Sequence, residues 1–338
     1  MPDELELNKL EIFSWSALAK RFKWADLILG NGFSINFSPR LRYDSLFDEF
    51  LKKCGDIDRQ RFSSFNTTNF EIILGKLSNA RDVNEIFKIE TSNIKHSIGC
   101  LKDGLIKTIE TVHPRWAETD QAQLERIALV LSTFNDIYTL NYDLYLYRII
   151  LILNDLHRAN GSIRQYSDYF WESYDDRFLG FCSDPSQHFE GPRHPYYLHG
   201  ALFLFRKASY DLKLRKYDSP SELMEAIGNT IRAGEIPLFV SEGTPEEKME
   251  AIDRSQYLRF ALKKLKDSKN SLAIFGSSLS DPDIHIVDAI NRNTRDLAIS
   301  IHVGSKTNGE LMDEKHRMES MFPDHTVEFF NSDTLFNF

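Results

Sequence analysis

The chain has 338 residues, 42% of them hydrophobic, enough apolar side chain for one large α/β domain or two smaller ones. A formal net charge of −9 disfavours a surface that grips nucleic-acid backbones, which depends on clustered Lys and Arg, so direct nucleic-acid binding is not expected. Three cysteines (Cys54, Cys100, Cys182) without a Cys-x-x-Cys pair, no apolar stretch of about 18 residues, and an acidic start without a basic leader region together exclude a disulfide scaffold, a zinc site built on cysteines and a membrane span, and predict a soluble cytoplasmic protein.

In chain order, the pattern predicts an amphipathic helix over Ser14 to Lys23, then a short buried strand, Asp26 to Gly30, closed by a glycine turn. Helical periodicity dominates from Ser45 to Thr133, through Phe70, Ile73, Leu101, Leu105, Leu124 and Leu131, and reads as a helical insertion between strands. Strand character resumes at Asp136 to Leu140, followed by a helix from Asp143 to Leu156. Ala159 to Pro195 reads as a smaller excursion carrying a short strand at Phe178 to Phe181, after which Tyr196 to His199 returns to the sheet. Next come a helix over Ser221 to Arg232, a strand at Pro237 to Val240, helices through Glu246 to Lys266, a strand at Leu272 to Phe275, a helix over Asp283 to Asn291 and a strand at Leu297 to Val303. Such alternation predicts α/β class, a doubly wound Rossmann-like parallel sheet with a helical insertion. Without repeats or a Pro/Gly-rich linker, one domain spanning 1–338, with insertions at 45–133 and 159–195, is expected.

Ligands of open parallel sheets bind at the carboxyl ends of the strands, and four short segments fall there. The first is Gly30-Asn31-Gly32-Phe33-Ser34. Glycines after a strand let the backbone approach a phosphate or ribose, or simply make a tight turn. The third glycine of Gly-x-Gly-x-x-Gly is missing, which argues against a dehydrogenase, and neither GxxxxGK[ST] nor HExxH occurs. The second segment, Thr139-Leu-Asn141-Tyr-Asp143, alternates three polar side chains along a strand end. Asn141 can hold a water or a ribose hydroxyl, whereas Asp143 either joins it or caps the next helix.

The third segment is His199-Gly200, where the histidine is a general base or a structural residue. The fourth is Gly276-Ser277-Ser278-Leu-Ser-Asp281-Pro-Asp283, whose amides and hydroxyls suit a ribose or phosphate, while Asp281 before Pro282 also fits helix capping. Glu242, after another strand, is a ribose acceptor or a solvated acid. His285 and His302 are adequately explained by core or surface roles.

Taken together, these segments resemble the sirtuin-like NAD-hydrolase superfamily in its bacterial immunity branch. Gly30-Asn-Gly-Phe-Ser34 is similar to that group's Gly-Ala-Gly-x-Ser loop, Thr139-Leu-Asn-Tyr-Asp143 to its Thr-x-Asn-Tyr-Asp, His199-Gly200 to its His-Gly pair, and Gly276 to Asp283 to its Gly-x-Ser-Leu-x-Asp-x-Asp-like turn. The opening also resembles the AbiH abortive-infection group. No zinc-binding cysteine quartet and no Gly-Ile-Pro-Asp-Phe-Arg run follow, so protein deacetylation is not expected.

The resemblance implies an NAD+ glycohydrolase acting in anti-phage abortive infection, with NAD+ as substrate and no metal. It implies Asn141, His199 and Asp143 as catalytic residues, and Gly30, Asn31, Gly32, Phe33, Ser34, Thr139, Gly200, Glu242, Gly276, Ser277, Ser278 and Asp283 as the nucleotide cradle. It also implies regulation by a protein partner or homo-oligomer through the 45–133 insertion. The alternative is a catalytically silent NAD or ADP-ribose sensor, or a regulatory subunit of a defence complex.

Overall fold

A computed structural model describes residues 4–336 except 22, 42–44, 54, 68–69, 114–118, 162–164, 185–192, 216–219 and 241–243. Glu242 and Cys54 therefore lie outside the described residues. Helix α1 (Glu4–Lys9), edge strand β1 (Ile12–Phe13) and α2 (Trp15–Arg21) lead into β2 (Asp26–Leu29) and the short α3 (Asn31–Ile35). Five helices follow before the next strand: α4 (Ser45–Lys53), α5 (Asp56–Ser64), α6 (Phe70–Ile86), α7 (Ser92–Val112) and α8 (Gln121–Leu131). Their interior includes Phe47, Phe50, Phe62 and Phe70, with ring centroids 4.8 Å apart for Phe50 and Phe70 and 4.9 Å for Phe47 and Phe62.

The chain then forms β3 (Ile137–Thr139), α9 (Tyr145–Asn160), β4 (Phe170–Ser173), β5 (Phe178–Phe181), β6 (Pro195–Tyr197), β7 (Gly200–Lys207), β8 (Tyr210–Leu214), α10 (Pro220–Ala233) and β9 (Pro237–Phe239). It closes with α11 (Pro245–Arg254), α12 (Gln256–Asp267), β10 (Leu272–Phe275), α13 (Ile284–Ile290), β11 (Asp296–Ile301), α14 (Asn308–Met321), β12 (Thr326–Asn331) and α15 (Asp333–Phe336). Among the described residues no helix is long and apolar enough to cross a membrane.

The main sheet has seven strands in the order β1-β12-β11-β10-β2-β3-β6, all parallel. Every residue of β2, β3 and β10 is buried, as expected of strands covered on both faces. The fold is thus α/β with a Rossmann-like parallel sheet and helical insertions.

A second sheet, in the order β4-β5-β8-β7-β9 with antiparallel pairing, departs from the sequence reading. Pro237 to Val240 was expected to continue the parallel series; its strand β9 instead pairs antiparallel with β7, at Gly200 opposite Phe239. The β7–β8 hairpin turns through Ala208 at φ 54°, without the Asn-Gly or Asp-Gly that marks such turns in a sequence.

Asp26 opens β2 fully buried, accepting Ser268 Oγ at 2.9 Å and Asn270 Nδ2 at 3.2 Å. Burial, and then the nearby Asp136 carboxylate, push its pKa up to about 6. Because the folded pKa lies above the unfolded one, the native state holds the extra proton, and stability falls as pH rises from about 4 to about 6. Asp26→Asn should remove up to about 3 kcal/mol of that fall, read as a flatter plot of urea-unfolding free energy between pH 4 and 7. An unchanged slope would show that Asp26 ionises as readily in the fold as in the unfolded chain.

Candidate active site

The four segments leave the carboxyl ends of β10, β2, β3 and β6, which are successive neighbours in the sheet, and their backbones are bonded to one another. Gly30 N–H donates to Phe275 O at 2.8 Å and Gly32 N–H to Gly276 O at 2.7 Å, so the loops after β2 and β10 cross in direct contact. A Cβ on Gly30 would lie 2.6 Å from Gly276 O, and one on Gly32 would lie 2.7 Å from Gly276 Cα. Gly276 itself sits at φ 68°. These glycines were expected to admit a phosphate or ribose; their smallness is used here to let one loop cross the other.

In the same loops, Phe33 and Ser34 are buried, Asn31 and Ser277 are half-buried and Ser278 is exposed. Ser277 Oγ accepts the Leu279 N–H at 3.2 Å, and Ser278 O accepts Arg317 at 2.8 Å.

Beyond β3, Asn141 N–H donates to Thr139 Oγ1 at 3.0 Å and its Nδ2 to Gly30 O at 2.9 Å. The amide oxygen, Oδ1, is buried and has no hydrogen-bond partner. Such an atom costs about 1–3 kcal/mol unless something bonds it, so a donor from a water or a ligand would be stabilised there. Beside it is a cavity of about 10 Å³ lined by Asn31, Leu41, Leu140, Asn141, Tyr142 and Asp143, room for about one water.

Both readings of Asp143 meet in its contacts. Its Oδ1 accepts the Tyr145 N–H at 2.8 Å at the start of α9, and its Oδ2 accepts the Ser34 hydroxyl. Burial raises its pKa, against the lowering effect of the Ser34 and Tyr145 bonds. Asp143 therefore ties the β2 loop to α9.

His199 is fully buried and belongs to a cluster of four. Its Nε2 is 2.9 Å from His285 Nε2 and 3.9 Å from Asp283 Oδ1, and Asp283 Oδ1 accepts Lys248 Nζ at 2.7 Å. His285, Asp283 and Lys248 are buried as well. Burial pushes the His199 pKa down to about 3, with Lys248 and His285 adding to the effect; Asp283 opposes it, as does the Leu140 carbonyl, which lies near the ring without bonding Nδ1. His285 is pushed down to about 4, again chiefly by burial. Burial also works against the Asp283 carboxylate, but His199 and Lys248 outweigh it and hold that pKa below the usual range. The cluster thus pairs Lys248 with Asp283 beside two imidazoles whose burial favours the uncharged form.

By residue type, His199, Asp283 and His285, with donor atoms within 4.8 Å of one another, match a metal donor set. The Lys248 ammonium already bonds the carboxylate and supplies the positive charge it needs. A divalent ion would add two further charges beside that ammonium in a dry site, so the residues present fit a metal poorly.

A larger cavity, about 710 Å³, adjoins this edge. Phe47, Leu51 and Phe62 of the insertion line it together with Pro245 at the start of α11 and Asp281-Pro282 just ahead of Asp283. A second cavity, about 630 Å³, shares Thr67 and Glu247 with it and carries Lys76, Arg206 and Arg254. His285 and Lys248 are the site residues that sequence reasoning missed. Lys248 looks like a surface residue of an acidic helix, and only the approach of α11 to Asp283 buries it.

A family profile described as a domain of unknown function, DUF4917, matches residues 27–336, from β2 to α15. No curated protein matches the chain. With nearly its whole length covered by that profile, the chain belongs to the DUF4917 family.

Proposed function

We propose that the protein binds NAD+ at the carboxyl edge of the parallel sheet and hydrolyses the bond between nicotinamide and ribose. The observation that carries this reading is the buried, unpartnered Asn141 Oδ1 beside a one-water cavity, at the point where four sequence-distant segments meet. The chemistry suits such a sparse site. Nicotinamide leaves as a neutral base from a cationic ring, so little acid catalysis is required, and the protein's task is to steady an oxocarbenium-like ribose and place a water. Water adds to C1′ of the ribose as the C1′–N bond breaks, giving ADP-ribose, nicotinamide and a proton. Asn141 Oδ1 accepts from the ribose hydroxyl or the water, and His199 takes up the proton.

The resemblance to defence NAD hydrolases extends the proposal to a cytoplasmic effector of abortive infection, held inactive until a partner or self-assembly engages the insertion. The closed geometry supports an inactive resting state, since about 10 Å³ around Asn141 admits a water and not a nucleotide. The same closure, with His199 fully enclosed, also favours the second reading, a silent NAD or ADP-ribose sensor.

Intracellular NAD+ during induced expression, with and without phage challenge, separates the two. The native chain should deplete NAD+, and Asn141→Ala and His199→Ala should each slow depletion on the order of 10²-fold while remaining folded. Nucleotide binding with no depletion under either condition favours the sensor.

A further inference from the structure

Resting on the nucleosidase reading, we propose that His285, anchored by the Asp283–Lys248 pair, is the positioning residue of His199: it accepts the His199 Nε2–H and so leaves His199 Nδ1 as the basic nitrogen.

The geometry permits one proton between two nitrogens. His199 Nε2 and His285 Nε2 are 2.9 Å apart, and each neutral imidazole carries one N–H and one lone pair. Either His199 donates, and its Nδ1 is bare, or His285 donates, and the His199 proton moves to Nδ1, where it is useless as a base. The Leu140 carbonyl near the ring works toward the second arrangement, and Asp283 works toward the first. Its Oδ1 lies 3.9 Å from His199 Nε2, close enough for a carboxylate to favour a proton on that nitrogen. Lys248, at 2.7 Å from the same oxygen, keeps the carboxylate in place and ionised in a buried setting.

On the other side of the ring, His199 Nδ1 is buried without a hydrogen-bond partner. The Leu198 N–H to Thr139 O bond, 2.9 Å, places His199 next to Leu140 and Asn141 on the neighbouring strand's extension. The free nitrogen and the free amide oxygen thus belong to adjacent segments at the same edge. Asp283, expected from sequence to touch the nucleotide, acts in this arrangement on the Nε2 side of His199, while its neighbours Asp281 and Pro282 line the 710 Å³ cavity. Fixing a tautomer through the far nitrogen is a recognised way to make a histidine useful.

The test is the tautomer itself, read from the ring 15N shifts of the histidine-labelled full chain, with His199 assigned by the signals lost in His199→Asn. The native protein should show His199 as the Nε2–H form. His285→Gln, whose side-chain oxygen reaches the same place and accepts, should keep that form; His285→Phe, similar in size with no acceptor, should lose it. A native His199 carrying its proton on Nδ1, or a tautomer identical in all three proteins, would overturn the proposal; should His285→Phe not fold, the native and Gln spectra still decide it.

NAD+ turnover is read separately. A fall in kcat on the order of 10²-fold in His285→Phe, with KM unchanged and recovery in His285→Gln, supports the role in catalysis. A native protein that turns over no NAD+ in phage-challenged cells while its tautomer follows residue 285 counts against the nucleosidase reading and leaves the positioning claim standing.

Discussion

Gly200→Ala should be among the most damaging single substitutions in the chain, lowering stability by about 2–5 kcal/mol. Two effects add. Gly200 adopts φ 73°, a region that costs an L-residue about 1–2 kcal/mol, and an added Cβ would fall 2.0 Å from Leu238 O and 2.8 Å from Leu238 C. Those atoms are backbone in the β7–β9 pairing, so the strands must part, a further cost of about 1–3 kcal/mol. His199, one residue earlier, accepts the Val240 N–H at 2.7 Å and would move with the break. Gly161→Ala is the control: its φ of 60° carries the conformational cost, with nothing within 4 Å to clash. Denaturant midpoints should place Gly200→Ala well below Gly161→Ala; equal losses would show that the steric contact is relieved without consequence.

Lys248→Met should cost about 3–5 kcal/mol at neutral pH, because it leaves the Asp283 carboxylate buried and uncompensated. The pH dependence carries the signature. Asp283 has a folded pKa below its unfolded value, so its contribution is present above the unfolded pKa and disappears as pH falls through the folded one. Without Lys248 the folded pKa rises. The deficit of the variant relative to the native chain should therefore shrink as Asp283 becomes protonated in acid, and adding Asp283→Asn should recover part of it at pH 7. A Lys248→Met protein as stable as the native one at pH 7 would mean that water or another cation satisfies the carboxylate.

The parallel sheet was legible where its strands are short apolar runs between turn residues, as at Asp26 to Gly30 and Leu272 to Phe275, since burial on both faces leaves little alternation to confuse the reading. The antiparallel sheet was not. Gly200 to Lys207 follows the His-Gly pair without a break, and its hairpin lacks a glycine or asparagine at the turn. β12 and α14 also went unassigned, although Thr307-Asn-Gly-Glu310 forms a capping box that the sequence displays.

At the strand ends, Gly30, Gly32 and Gly276 stand where the structure brings loop against loop. Thr139, Asn141 and Asp143 were visible because polar residues at a strand end stand out. His285 and Lys248 were hidden because what makes them unusual is who they meet, and Asp283, His199 and α11 come together only in the folded chain.

The most direct measurement is nicotinamide release from NAD+ in lysates of phage-challenged cells expressing the full-length chain, compared with Asn141→Ala of equal thermal stability. Release by the native protein and a loss on the order of 10²-fold in the variant are expected, because the unpartnered amide oxygen at the converged strand ends is gone. Equal release from both proteins, or NAD+ bound by the native chain and recovered intact, would contradict the nucleosidase reading.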